Sequence, residues 1–257
     1  MHVLLTNDDG VFAPGLATLA QGLREEFTLT ILAPDRNWSA SGHVKTMHRP
    51  LRVWQTKLDD GSPALTTDGA PSDCVALAVL GVVTEPIDMV ISGINPLSNL
   101  GHDVTYSGTV TAAMEATISG LPGIAVSLDS GENHKLEIDY STAAEITQRL
   151  ARQVFSHGLP KGMLLNINVP YLPLDQIKGV MITQQGQRVY RQALVEREDP
   201  RGRAYYWIGG DSPTGLQEPG TDFWALTQGY VSITPLQLDL TAHVGMQQIE
   251  AWNLQIK

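Results

Sequence analysis

Two acids, Asp8 and Asp9, stand side by side in TNDDGVFAPG, directly after the apolar run VLLT and directly before Gly10. Neighbours in a regular strand point to opposite faces. Only a turn brings both carboxylates toward one point, and Gly10 has the backbone freedom for it. Two carboxylates held close repel, and one protonates unless a cation sits between them. A divalent metal ion is such a cation. The competing reading is an Asp-Gly turn with both side chains in water. The hydroxyl of Ser39 and the amide oxygen of Asn95 are hard oxygen donors that would complete a metal shell. All-oxygen ligation favours Mg²⁺ or Mn²⁺ and disfavours zinc. Taken singly, Ser39 reads as a loop hydroxyl or cap, and Asn95, before Pro96, as a turn starter.

A second chemical element is YSGTVTAAMEAT. A helix starting at Ser107-Gly108-Thr109 presents free N–H groups, hydroxyls and a positive dipole end. Gly108 would let an anion approach the backbone, and a phosphate could sit there with the metal on its other side. The plainer reading is an ordinary helix cap. The histidines, His2, His43, His48, His102, His134, His157 and His243, show no HExxH-like spacing, so zinc is unsupported. His102 could touch a substrate but reads first as a surface residue. Cys74 lies in an apolar helical run and reads as core. No GxSxG elbow, P-loop or GxGxxG follows any expected strand.

These groups need elements to carry them. The first two-thirds of the chain alternates short β-rich runs with helical patterns. VLLT, LTILAP, DMVISG, GIAVSL and MLLNINV read as strands. GLATLAQGLREEF, SDCVALAVLGVV, SGTVTAAMEATISG and YSTAAEITQRLARQVF read as helices, the third capped by Ser107 and stopped at Gly120. Such alternation predicts a mostly parallel sheet covered on both faces. Ligands in these folds bind beyond the carboxyl ends of the strands. Asp8 and Asp9, Ser39 and Asn95 each follow one of the expected strands, so three polar loops converge on one sheet edge. The chain reads as a single α/β domain over 1–257, with a core of about 1–180 and a C-terminal extension of about 181–257. That extension is polar, aromatic and turn-rich; antiparallel strands or an extended arm are expected, then a short terminal helix. Exposed aromatics on such an arm suit a subunit interface, and an ordinary part of the same fold is the equal alternative.

The bulk numbers bound the function. At 257 residues, 42% hydrophobic and 17% charged, the composition is globular. A net charge of −10 and the lack of a Lys/Arg cluster argue against a nucleic-acid polymer, though not against a small anion. No apolar run reaches the roughly 18 residues of a membrane span. One cysteine and no signal-like N-terminus point to the cytoplasm.

Several separate stretches, in order over nearly the whole chain, resemble one family, the stationary-phase survival protein SurE. They are LLTNDDGVFAPGL, LAPDRNWSASG, GAPSDCV, VISGIN, NLGHDVTYSGTVTAAMEA, LNINVP, DPRG with YYWIG, and GTDFWALTQGYVSITPLQLDLTAH. The resemblance implies a Rossmann-like core and a metal-dependent nucleotidase. Such enzymes remove phosphate from nucleoside 5′- and 3′-monophosphates, and some members cut short polyphosphate. It implies metal ligation by Asp8, Asp9, Ser39 and Asn95, with Asp8 and Asp9 also catalytic. It implies substrate binding by Asn95, Ser107, Gly108 and Thr109. It further implies a homodimer or homotetramer built through the C-terminal extension. The chain departs from the family where x-Gly-x-Asn after SGIN becomes Pro96-Leu97-Ser98-Asn99, and where GTP becomes Gly69-Ala70-Pro71. After Ser39 it reads Ala40-Ser41-Gly42-His43-Val44-Lys45. Two other readings stand beside this one. A haloacid-dehalogenase-type phosphatase would need a nucleophilic acid where Asn7 stands. A metal-dependent nucleotide sensor would bind without turnover.

Overall fold

A strand buried on both faces must be apolar throughout, with side chains alternating between two cores. Strand β1 (His2–Thr6) does this: Val3 and Leu5 enter one core, and Leu4 enters the other. Burying each such Leu contributes about 2 kcal/mol. The computed structural model describes residues 1–131, 137–189, 192–210 and 214–254; His134 and the last residues of the terminal tail lie outside them.

After β1 come α1 (Pro14–Leu23), β2 (Thr28–Pro34), β3 (Val53–Lys57), β4 (Pro63–Thr67) and α2 (Pro71–Leu77). Then follow β5 (Met89–Asn95), α3 (Gly108–Ile118), β6 (Gly123–Asp129), α4 (Ser141–His157) and β7 (Met163–Pro170). The C-terminal part holds β8 (Val180–Ile182), β9 (Arg188–Val189), β10 (Gln192–Glu198), β11 (Ala204–Gly210) and β12 (Thr214–Gly215). It ends in α5 (Asp222–Thr227), β13 (Val231–Gln237) and α6 (His243–Glu250).

Nine strands form the main sheet in the order β3-β4-β2-β1-β5-β6-β7-β13-β8. From β4 to β7 it is parallel throughout; β3 runs antiparallel to β4, and β13 antiparallel to β7. Helices α1 and α4 cover one face with Leu16, Leu19 and Ala143. Helices α2 and α3 cover the other with Cys74, Val75, Ala112 and Ala116. This is the Rossmann-like α/β architecture the sequence predicts. Strand order reverses at β1: β2 and β4 lie to one side, and the chain then returns to place β5 on the other. The gap between the carboxyl ends of β1 and β5 is therefore the expected ligand crevice.

The structure differs from the sequence reading in three places. The helix expected from Ser72 through Val83 is α2 followed by one wide turn, Ala78–Val82, broken at Gly81 with φ 118°. The hairpin β3–β4, in the stretch left unassigned, lies at the sheet edge, where half-exposed polar positions blur the alternation. The C-terminal part is not all arm. Strand β13 joins the main sheet beside β7, β8 pairs parallel to β13, and the short helix α5 packs near both β7 and β13. The antiparallel hairpin β10–β11 leaves Leu194, Tyr206, Trp207 and Ile208 exposed. The expected terminal helix is α6.

Candidate active site

The chain turns sharply after β1, and Asn7 organises the turn. Its wholly buried side chain donates from Nδ2 to the Gly10 carbonyl at 2.9 Å and accepts the Gly10 N–H at Oδ1 at 3.1 Å. Gly10 sits at φ 105°, open to glycine and strained for other residues. The turn carries Asp8 and Asp9 to the wall of a cavity of about 610 Å³, the size of a small-molecule site. With both side-chain polar atoms of Asn7 committed to Gly10, the position before the acids holds no nucleophile.

Asp8 is 4% exposed. Thr109 Oγ1 donates to its Oδ1 at 2.6 Å, and the backbone of Gly108 and Thr109 also reaches the carboxylate. Its main-chain oxygen accepts the Trp38 N–H at 2.7 Å. Burial raises the Asp8 pKa against those hydrogen bonds. Asp9 is pushed up to about 7, first by burial and then by the neighbouring Asp8 charge. Tyr140 is likewise pushed up to about 12 by burial, with the Asp9 charge adding to it. Among the described residues, no Lys, Arg or His bonds either acid.

Ser39 and Asn95 line the same cavity. Ser39 is exposed in the loop after β2, and its N–H donates to Asn37 Oδ1 at 2.8 Å. Asn37 Nδ2 donates in turn to Asp9 Oδ1 at 3.2 Å, so one side chain spaces Ser39 from Asp9. Asn95 ends β5, where the register against β6 shifts. Its Nδ2 donates to the Leu97 carbonyl, which leaves the amide oxygen for the cavity. Among the described residues, no group of three or more His, Cys, Asp and Glu side chains could hold a metal ion. Any cation at this edge would rest on two carboxylates and neutral oxygens, a donor set fitting Mg²⁺ or Mn²⁺.

Ser107 lines the cavity and caps α3, its Oγ accepting the Val110 N–H at 3.1 Å. Gly108 and Thr109 lie behind Asp8 rather than on the cavity wall. A Cβ on Gly108 would stand 2.6 Å from the Asp8 Cβ, so glycine there lets the start of α3 press against the acid. The fully buried Thr109 spends its hydroxyl on Asp8. His102 is exposed and does not line the cavity, and Cys74 is wholly buried, which pushes its thiol pKa up.

Sequence reasoning passed over Asn37, Arg188, Asp103, Phe223 and Asp222. Asn37 forms an Asx turn, a signal present in DRN before Ser39. Arg188 and Asp103, ion-paired at 2.7 Å, line the far wall with Phe223, and Arg188 lies over the Phe223 ring, 5.7 Å from its centre. Asp222 holds that wall from behind. These residues meet only through long-range folding, and no local pattern announces them.

A Rossmann-like sheet with paired acids at its β1/β5 crevice defines a class of α/β proteins built to bind a small ligand at their strand ends. Comparison with known proteins then narrows the class. The family model described as Survival protein SurE matches residues 3–192. "5'-nucleotidase SurE" of Chloroflexus aggregans is 47% identical over 98% of this chain and 99% of its own. "5'-nucleotidase SurE" of Herpetosiphon aurantiacus is 48% identical over 98% of this chain and 99% of its own. The crystal structure of the SurE protein from Aquifex aeolicus superposes with a TM-score of 0.82 at 39% identity, over 99% of this chain and 100% of that one. The chain belongs to the SurE family.

Proposed function

We propose that the protein is a divalent-metal-dependent 5′-nucleotidase, splitting a nucleoside monophosphate and water into nucleoside and inorganic phosphate. The observation that carries this reading is the pair Asp8–Asp9: two partly or wholly buried acids in a nucleotide-sized cavity, with no basic side chain among the described residues bonded to them. A buried charge without a partner is costly, and a cation is the missing counterpart. The 47–48% identity to proteins named 5′-nucleotidase supports the substrate class.

Asp8, Asp9, Ser39 and Asn95 would hold Mg²⁺ or Mn²⁺, which supplies Lewis acidity to a phosphoryl oxygen and acidifies a water. The chain's own residues do the rest. Asp8 is fixed by Thr109 and the Trp38 N–H. Asp9, the more open of the two, orients the attacking water and takes its proton. As the P–O bond breaks, the ester oxygen of the nucleoside takes a proton from solvent, and Asp9 gives the proton it received back to solvent. Ser107, at the positive end of α3, and the Asn95 side chain face the oxygens on which charge grows. The backbone behind Gly108 and Thr109 steadies that arrangement. Activity on 3′-monophosphates and short-chain polyphosphate is part of the same reading.

A cytoplasmic enzyme fits the lone buried thiol; among the described residues, no helix is long and apolar enough to cross a membrane. The exposed apolar hairpin β10–β11 supports assembly as a homodimer or homotetramer through the C-terminal segment. The acid excess disfavours nucleic-acid polymers as substrates.

The test is phosphate release from 5′- and 3′-nucleotides and polyphosphate, with Mg²⁺, with Mn²⁺ and with chelator. Release from AMP that chelator abolishes is the expected result. Chelator-insensitive hydrolysis, or tight AMP binding with Mn²⁺ and no release, would overturn it.

A further inference from the structure

The cavity is far larger than a phosphate needs. The strand ends give one side of it. The other side combines the loop between β5 and α3 with residues from the C-terminal segment, among them Arg188, Gln217 and Phe223. What keeps these two pieces together is a matter of a few bonds.

Beside the Arg188–Asp103 ion pair, two groups of buried hydrogen bonds anchor the loop. The first ties it to the sheet: the Asn99 N–H donates to Asn168 Oδ1 at 2.8 Å, its Nδ2 to Ser127 Oγ at 2.8 Å, and its carbonyl accepts from Asn166 and Asn168. The second ties it to the C-terminal segment. Asp222 Oδ2 accepts the Gly101 N–H at 2.8 Å. Its Oδ1 accepts the Gly186 N–H at 2.8 Å and the Phe223 N–H at 2.9 Å. Gln185 Nε2 donates to the Gly101 carbonyl at 2.8 Å. The backbones nearly touch: a Cβ on Gly101, itself at φ 53°, would stand 2.5 Å from the Gly186 carbonyl oxygen. Asp222 is 0% exposed. A buried charge is tolerated only when fully bonded. A carboxylate alone offers two accept-only oxygens, one for each of two separate backbone segments.

We propose that Asp222 is a positioning residue: through Gly101 it locks the β5–α3 loop to the C-terminal segment and so forms the wall that receives the nucleoside half of the substrate. This rests on the nucleotidase reading above. Asp222→Asn isolates the claim. Its remaining oxygen can keep Gly186 and Phe223, while its NH₂ meets the Gly101 N–H, donor against donor.

The test compares AMP with phenyl phosphate, which lacks the nucleoside, for full-length wild type, D222N and Gln185→Ala, all with Mn²⁺. In D222N the KM for AMP rises about tenfold, the scale of one buried hydrogen bond lost. Phenyl phosphate kinetics stay within about twofold, and amide hydrogen exchange over 96–107 quickens. Q185A, a surface change that preserves the fold, raises the AMP KM about twofold through the weaker second bond. Equal losses on both substrates, or no change in AMP KM and loop exchange, would overturn the proposal. If D222N does not fold, Q185A decides, by a rise confined to AMP or by none. Wild type inactive on both substrates would instead sink the nucleotidase reading, and this inference with it.

Discussion

Helix α3 touches two buried carboxylates that are equally shielded and oppositely treated. Asp8, against its first turn, is 4% exposed; Glu115, within it, is 5% exposed. Glu115 receives Lys45 Nζ at 3.2 Å and has His43 Nε2 at 3.0 Å. Asp8 receives a threonine hydroxyl, backbone N–H groups and a second acid beside it. Since burial is the same, the difference is one of purpose. Glu115 fastens the loop that carries Ser39 onto α3, and it has a cation of its own in Lys45. Asp8 and Asp9 have no such cation among the described residues, and the proposed metal ion would take that place.

That contrast can be broken most forcefully by exchanging charge for amide. Asp8→Asn should lower kcat on AMP on the order of 10³-fold with an unchanged circular dichroism spectrum. Its metal-free melting temperature should equal or exceed wild type, because a desolvated charge is gone. Retained turnover would remove Asp8 from the chemistry. Glu115→Ala should do the reverse, lowering stability by about 2 kcal/mol in urea unfolding, since Lys45 and His43 lose their buried partner. If both variants shift stability in the same direction, the distinction between them is lost.

A finer cut uses pH. Metal-free Asp9 is held up to about 7, by burial first and by Asp8 second. A carboxyl raised in the folded state contributes stability that is complete below its unfolded value, 3.8, and fades as pH rises through the folded one. Between about pH 4 and 7 the metal-free protein should therefore melt at progressively lower temperature from this group. Asp9→Asn should flatten the slope, and saturating Mn²⁺ should do the same in wild type. The smallest effect belongs to a surface pair. Arg149→Ala, which breaks the solvent-facing link to Glu145 on α4, should cost about half a kcal/mol or less and leave turnover alone.

What the sequence makes visible follows from how local the signal is. Strands buried on both faces, β1, β5, β6 and β7, announce themselves as mostly apolar runs, and the helices between them show their period. Edge strands do not, because residues such as Gln55 and Trp54 face water and carry no strict alternation. Helix α5 is too short for a period, and the parallel pairing of β8 with β13 is settled by residues far apart in the chain. The site divides in the same way. Asp8, Asp9, Ser39, Asn95 and Ser107 follow strands or open a helix, so topology alone directs them to one cavity. The positions of Gly108 and Thr109 behind Asp8 depend on how closely α3 approaches β1, which no pattern encodes. Asn37 shows only the Asx-turn signal of DRN, and Asp222 looks like an ordinary surface polar residue until its partners are seen.

Placing β1 at the middle of the sheet has a consequence for how this protein is made and handled. Strand β1 has a seat between β2 and β5, and the second of those neighbours is not synthesised until residue 95. His2 then fastens to both sides at once, its ring reaching the Pro86 carbonyl and the Thr30 hydroxyl. Trimming the opening residues would not fray an edge; it would pull out the strand around which every later crossover winds.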